Sequence, residues 1–331
     1  MNEIDARRID RAILSWIATK SRLSDSRETK KKYTEIINAF RAWLQKTGLD
    51  LDPTIWEGIT TKEAVATIAA EAQLFANYSK RHPGQDVAQG TYAQRLSILA
   101  SFYAFANKRD YIECVNPISK LDRPHLNPYG KVEPLDIEAV VKAMQAIDRS
   151  TPHGLRDYTL LGVLLQTGRR LAEVEALRCR HIKLSKKLED LRGVEDIRIV
   201  LQFERCKGGK TATHELSTYL SIELLKSLKL SYGMDLLLLD GARPLWPVLY
   251  GEKPLGVRGI AYVAEKRLGT TSVHRLRHTN AVVLREVGLE LEEIQKLLGH
   301  QHLNTTMVYL KAMLGTQNKK VDEVDKRLLG S

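Results

Sequence analysis

Cysteine is scarce in this chain, and the few present do not suggest pairing. Cys114, Cys179 and Cys206 are odd in number and widely spaced, which fits reduced thiols and excludes a disulfide scaffold. None has a catalytic context, so each is expected to pack as a small hydrophobe. No apolar run reaches the roughly 18 residues of a membrane span. The first twenty residues carry charge at every third or fourth position, unlike the continuous apolar stretch of a secretory leader. A cytoplasmic protein with no membrane partner is the expectation. Also missing are a Gly-rich phosphate loop ending in Lys-Ser/Thr, a His-Glu-x-x-His and a Cys-x-x-Cys. With them go the usual signatures of nucleotide-driven and metal-dependent chemistry, so no cofactor and no metal are expected.

Positive charge is what the chain has in excess. Its 331 residues hold 51 Lys and Arg against 40 Asp and Glu, a net charge of +11. Residues 1–130 carry 19 basic and 15 acidic side chains, and residues 131–331 carry 32 and 25. Both halves can therefore face a polyanion. The length suggests two domains, at roughly 100–200 residues each. A content of 43% hydrophobic and 27% charged residues is that of a globular protein and excludes a disordered or collagen-like chain.

Between Asn116 and Asp136 stand Pro117, Pro124, Pro128 and Pro134, a density that no regular element tolerates. This segment reads as a linker over 121–135, after a helical domain over 1–120. Within that domain Ile9, Ile13, Trp16 and Ile17 share one face of a helix over 7–18. Tyr33, Ile36, Ile37, Phe40 and Leu44 recur at helical spacing until Gly48 and leave Lys30, Lys31 and Arg41 on a basic side. Thr60-x-x-Glu63 and Thr91-x-x-Gln94 read as capping boxes opening helices over 61–80 and 91–107. After the linker Asp136 caps a helix, and residues 155–180 continue a helical pattern. The period then changes to two, with Ile197, Ile199, Leu201 and Phe203 alternating with polar or smaller neighbours. Lys207-Gly208-Gly209-Lys210 and a second strand over 211–216 complete a β-hairpin with lysines at its tip. Beyond Ser272 the chain is helical again, with breaks at Gly288 and Gly299. The fold class is mainly α, with a small β-sheet in the second half.

Arginines and histidines mark the second half. Thr167-Gly168-Arg169-Arg170-Leu171-Ala172-Glu173 sets an arginine and a carboxylate one helical turn apart, a pair that solvated helices also carry. In His274-Arg275-Leu276-Arg277-His278, His274 and Arg277 share a face. His274 and His278 have metal-pair spacing, but neighbouring arginines repel a cation and no carboxylate or thiolate completes the set. The segment Leu297-Leu298-Gly299-His300-Gln301-His302-Leu303-Asn304-Thr305-Thr306-Met307-Val308-Tyr309 places a tyrosine nine residues after a histidine. Each signature alone is commonplace, but together, in this order, they resemble the catalytic domain of the tyrosine recombinase (phage integrase) family.

The resemblance covers residues 135–312 in motif terms, through TGRRLAEVEAL, CKGGK, HRLRHT and LLGHQHLNTTMVYLKA. It implies the catalytic residues Arg170, Glu173, Lys207, His274, Arg277, His300 and Tyr309. Arg169 stands where the family usually has an apolar residue, which leaves open an exchange of roles with Arg170, and Lys210 rivals Lys207. The chemistry explains the residue types. Attack on a phosphodiester adds charge to oxygens that are already anionic, and two guanidiniums answer that charge with permanently protonated donor forks. His300 adds a hydrogen bond to the phosphate, and His274 accepts or relays the tyrosine proton. Tyr309 becomes nucleophilic where positive surroundings favour its phenolate. Lys207 is the general acid for the departing 5′ oxygen, and Glu173 holds a catalytic group in place.

The resemblance further implies an α+β catalytic domain over 136–312 and a tail over 313–331 that docks on a neighbouring protomer. With the helical domain at 1–120 as a core-binding domain, the protein is expected to form a C-shaped clamp on double-stranded DNA. Four protomers would then join two specific inverted-repeat sites and exchange strands through a 3′-phosphotyrosine intermediate and a Holliday junction. Integration, excision, transposition and resolution all share this chemistry. Two alternatives are a type IB topoisomerase and a non-catalytic helix-turn-helix protein using residues 291–312, with Gly299 at the turn.

Overall fold

Apolar residues three and four apart along the first third of the chain sort into four helices in the computed structural model. They are α1 (Glu3–Ser24), α2 (Arg27–Gln45), α3 (Thr61–Asn77) and α4 (Gln89–Lys108). The structure describes residues 3–24, 27–124, 133–186, 192–193, 196–204, 211–233, 240–248 and 253–299. Two units divide the chain, Met1–Pro128 and Tyr129–Ser331. Of the Pro-rich segment, residues 125–132 lie outside the described residues.

The first unit closes around aromatic rings. Trp16 on α1 is fully buried, 5.1 Å from the ring of Tyr33 and 5.5 Å from Phe102, which it meets edge to face. Ile9, Ile13 and Ile17 are buried beside it, with Ile37, Phe40 and Leu44 of α2, so the faces expected from spacing are the faces that pack. Thr60 opens α3 with both halves of its capping box, since Glu63 N donates to the Thr60 hydroxyl and Thr60 N donates to the Glu63 carboxylate. Tyr78 is extended and ends the helix at Asn77, three residues earlier than expected.

Two expectations are corrected here. Thr91 does not cap α4, because the helix starts at Gln89 and the Thr91 N–H already donates to Ala88 O at 2.8 Å. Its hydroxyl therefore lies inside the first turn. Arg41 does not belong to a free basic face with Lys30 and Lys31. Its Nε and Nη2 donate to Asp50 at 2.9 and 3.0 Å, and its Nη1 pairs with Asp10. Burial alone would lower the Arg41 pKa, but the bonds to Asp50 and Asp10 outweigh it and raise it. Nearby, Arg8 pairs at 2.6 Å with the fully buried Asp52, whose other oxygen accepts from Thr54 N. These charges pin the loop between α2 and α3.

The second unit begins with α5 (Ile137–Gln145), capped by Asp136 Oδ1 accepting from Ala139 N at 2.7 Å. Residues 155–180 are not one helix. They divide into α6 (Pro152–Thr167), the short α7 (Leu171–Glu175) and a 3-10 turn at Cys179–His181. Next come β1 (Ile182–Leu184), β2 (Ile199–Phe203) and β3 (Ala212–Glu215), an antiparallel sheet in the order β1-β2-β3. Its register sets Leu201 against both Ile182 and His214. Ile199, Leu201 and Phe203 face the core as their alternation requires, while β1 escaped notice because three residues show no period.

The remaining elements are α8 (Thr218–Tyr232), α9 (Val257–Leu268), α10 (His274–Glu286) and α11 (Leu291–Leu298). Helix α6 is buried on several faces, through Leu155, Leu160, Leu161, Val163 and Leu164, because α8 and α10 both pack on it. Truncating such a residue to Ala costs about 2–5 kcal/mol. The α6 helix is thus a rigid post, and the turn at its end is held in place.

Candidate active site

A single glycine shapes that turn. Gly168 takes φ +57° to end α6, and a Cβ there would lie 2.5 Å from both Asn280 Oδ1 and Leu298 Cδ2. No side chain fits, and the left-handed backbone favours glycine anyway. The chain then presents its two arginines differently. Arg169 is 4% exposed, with its guanidinium 5.3 Å from the Phe203 ring centre. The Arg170 side chain keeps 32% of its surface open. The carboxylate of Glu173 is buried between them. It accepts from Arg170 Nη1 at 2.9 Å and from Arg170 N at 3.2 Å, and it lies 3.9 Å from Arg169 Nη1.

Helix α10 supplies the other pair. Its first turn exposes His274, and Arg277, one turn later, is 2% exposed. Arg277 Nη1 donates to Gly168 O at 2.7 Å and Nη2 donates to Leu298 O at 2.8 Å. One guanidinium thus ties the arginine-bearing turn to the end of α11. Partial desolvation, then the positive charges of Arg277 and Arg170, lower the pKa of His274. The His278 ring meets His274 edge to face at 5.1 Å. Burial, followed by His274 and Arg277, pushes its pKa down to about 3. Both rings are therefore neutral at neutral pH, and His274 is able to accept a proton.

Four of the expected residues, Arg170, Glu173, His274 and Arg277, are thus brought together. Lys207, its rival Lys210, His300 and Tyr309 lie outside the described residues, as does Cys206. The burial of Arg169 and the openness of Arg170 separate two side chains that adjacency in sequence left interchangeable.

Sequence reasoning missed two residues that shape the site. Asn280 donates to Leu165 O at 2.7 Å and Gln166 O at 3.1 Å, closing the end of α6 from the side. His214 on β3 contacts Leu297 O at 3.0 Å. A signal existed for both. An Asn inside a helix calls for a bonding partner, and His214 occupies an inward position of its strand's two-residue period.

At the turn after α6, the described residues gather three guanidiniums, Arg169 and Arg170 beside the Glu173 carboxylate and Arg277 on Gly168 O. Such a surplus in a partly desolvated place attracts an anion.

Residues 133–314 match the phage integrase family. The chain is 31% identical over 293 residues to tyrosine recombinase XerD of Pseudomonas aeruginosa, covering 85% of each protein. It is 31% identical over 241 residues to tyrosine recombinase XerC of Oceanobacillus iheyensis, covering 68% of this chain and 71% of that one. Among solved structures, the post-cleavage complex of XerH site-specific recombinase with difH substrate superposes with a TM-score of 0.62 at 16% identity, over 91% of this chain and 80% of that one. A lambda integrase dimer bound to a core site gives 0.55 at 16% identity, over 96% and 83%. These two likenesses show a shared fold.

Proposed function

The chain belongs to the phage integrase family and is a site-specific tyrosine recombinase, an enzyme that cleaves and rejoins DNA, and on that premise we propose that Arg170, Glu173, His274 and Arg277, completed by Lys207, His300 and Tyr309, form its active site. The topoisomerase and helix-turn-helix alternatives are not favoured, since the family match runs through the whole segment from 133 to 314. The observation that carries the assignment is the clustering of the first four residues, with their surplus of positive charge and a half-open arginine.

In the proposed reaction Tyr309 attacks the scissile phosphorus and gives its proton to the neutral His274. The bond from phosphorus to the 5′ oxygen breaks, and Lys207 protonates that oxygen as it leaves. Arg170, Arg277 and His300 meet the charge that builds on the non-bridging oxygens. Glu173 acts through Arg170, fixing the guanidinium by its side chain and backbone so that the fork points outward before substrate arrives. The product is a 3′-phosphotyrosine ester, which keeps the energy of the broken bond for resealing to another strand.

At the level of assembly, we propose that both units grip duplex DNA at inverted-repeat sites. Four protomers exchange strands through a Holliday junction, and residues 313–331 dock on a neighbour. The charge of +11 supports binding to a polyanion. Among the described residues no helix is long and apolar enough to cross a membrane.

The direct test is a suicide substrate nicked beside the cleavage point. The protein should form a denaturation-resistant complex with it, and Tyr309→Phe should abolish that complex while DNA affinity stays unchanged. A complex that persists in Tyr309→Phe would overturn the assignment.

A further inference from the structure

A helix leaves its last four carbonyls without partners inside the helix, and at the end of α11 each of them has found one. They belong to Gln295, Lys296, Leu297 and Leu298. The Gly299 N–H serves the first two, Arg277 Nη2 serves Leu298, and His214 serves Leu297. Donors of this kind also suit the negative end of the helix dipole. Since a carbonyl only accepts, His214 Nε2 carries the hydrogen in this contact.

Packing fixes the ring that makes this bond. His214 stands opposite Leu201 in the sheet, and its ring meets the Phe203 ring at right angles with centres 6.2 Å apart. The guanidinium of Arg169 covers the same Phe203 ring. Burial and then the charge of Arg169 lower the His214 pKa, with a smaller push from Arg277, while the Leu297 bond and Glu173 act in the opposite direction. The ring is thus the neutral Nε2–H tautomer around neutral pH.

Its position in the chain is what gives this contact meaning. Strand β3 is the return strand of the hairpin that holds Lys207 and Lys210, and Leu297 lies three residues before His300. We propose that His214 is a positioning residue for strand cleavage, tying the strand that returns from the lysine hairpin to the helix end that leads into His300. The contact thereby fixes where the return strand meets the end of α11. This role rests on the assignment of Lys207 and His300 made above.

Three variants of the full chain test it on the suicide substrate at saturating DNA, with cleavage rate and DNA affinity read separately. His214→Leu removes the donor, and His214→Asn keeps an amide too short to reach Leu297 O. His214→Gln places an amide N–H about where the imidazole Nε2 lies. The Leu and Asn variants should cleave about tenfold more slowly, the rate equivalent of one hydrogen bond. The Gln variant should stay within about threefold of the parent. Affinity should not change in any of the three. Parent-like cleavage by either His214→Leu or His214→Asn overturns the proposal. So does a Gln variant as slow as the other two, or a loss of rate that merely follows a loss of affinity. The active-site reading fails separately, through a Tyr309→Phe control that still forms the covalent complex. If that control is inert and His214→Leu is fast, only the role of His214 falls.

Discussion

Two charged regions of this molecule, the loop after α2 and the turn after α6, treat buried charge in opposite ways. In the first, Arg8 and Arg41 meet Asp10, Asp50 and Asp52, so carboxylates more than match guanidiniums and the cluster holds a loop. In the second, Arg169 and Arg170 flank Glu173, and Arg277 bonds the backbone carbonyls of Gly168 and Leu298. Matched charge spends itself on structure. Unmatched charge, kept partly open at Arg170, is left over for a ligand of opposite sign. The difference separates a scaffold from a site without reference to any substrate.

Removing Arg277 should produce the largest contrast between the regions. Arg277→Ala takes away a guanidinium proposed to meet the phosphate, and cleavage of the suicide substrate should fall by about 10²–10³. It also strips Gly168 O and Leu298 O of their partner, so the melting temperature should drop as well. A variant that loses stability but cleaves at the parent rate per folded molecule would make Arg277 purely structural and erase the contrast.

Arg41→Ala asks the reverse question of the matched cluster. It leaves Asp50, 6% exposed, with a broken ion pair, and denaturant titration should show a loss of about 2 kcal/mol. Cleavage by the folded fraction should not change. Slower cleavage at full stability would mean that the first region serves the chemistry after all.

Acid gives the smallest effect and should reach the two regions unequally. His278 titrates at about 3 when folded and near 6.5 in an unfolded chain. Between those values the unfolded chain binds a proton that the folded chain does not. The stability contribution is therefore complete above about pH 6.5 and is lost as pH falls, by up to about 1.4 kcal/mol per pH unit. His214 and His274, both lowered, shift in the same direction. Among the described residues of the first unit the only histidine is the exposed His82. Amide exchange corrected for intrinsic rates, compared at about pH 7 and about pH 5, should quicken in peptides of α10 more than in those of α4. Equal quickening would remove histidine burial as the cause.

The sequence announced the elements whose pattern is local. The apolar stripes of α1 and α2, the Thr60 and Asp136 caps, the alternation in β2 and the breaks at Gly288 and Gly299 all depend on neighbours within a turn or two. Helices α8 and α9 and strand β1 went unmarked: β1 is too short to show a period, and no cap or motif drew attention to the two helices. The Thr91 box failed because two residues of upstream backbone entered the helix first. Arg41 was misplaced because its partners Asp10 and Asp50 lie 31 and 9 residues away, beyond any helical period. Within the site, residue types and order were legible. The opposite exposures of Arg169 and Arg170, and the bonds from Asn280 and His214 to backbone carbonyls, arise only when α6, α10, α11 and β3 meet.

The central claim is that surplus positive charge at this site exists to meet a phosphate. Arg170→Ala tests it most directly when assayed on two suicide substrates, one with the natural scissile phosphate and one with a methylphosphonate, whose methyl group replaces a non-bridging oxygen and removes the negative charge. On the phosphate the variant should be slower than the parent by about 10²-fold or more. On the neutral methylphosphonate that deficit should shrink to within about tenfold, since there is less charge for the missing guanidinium to answer. An Arg170→Ala deficit of the same size on both substrates would contradict the claim and leave Arg170 as a structural partner of Glu173.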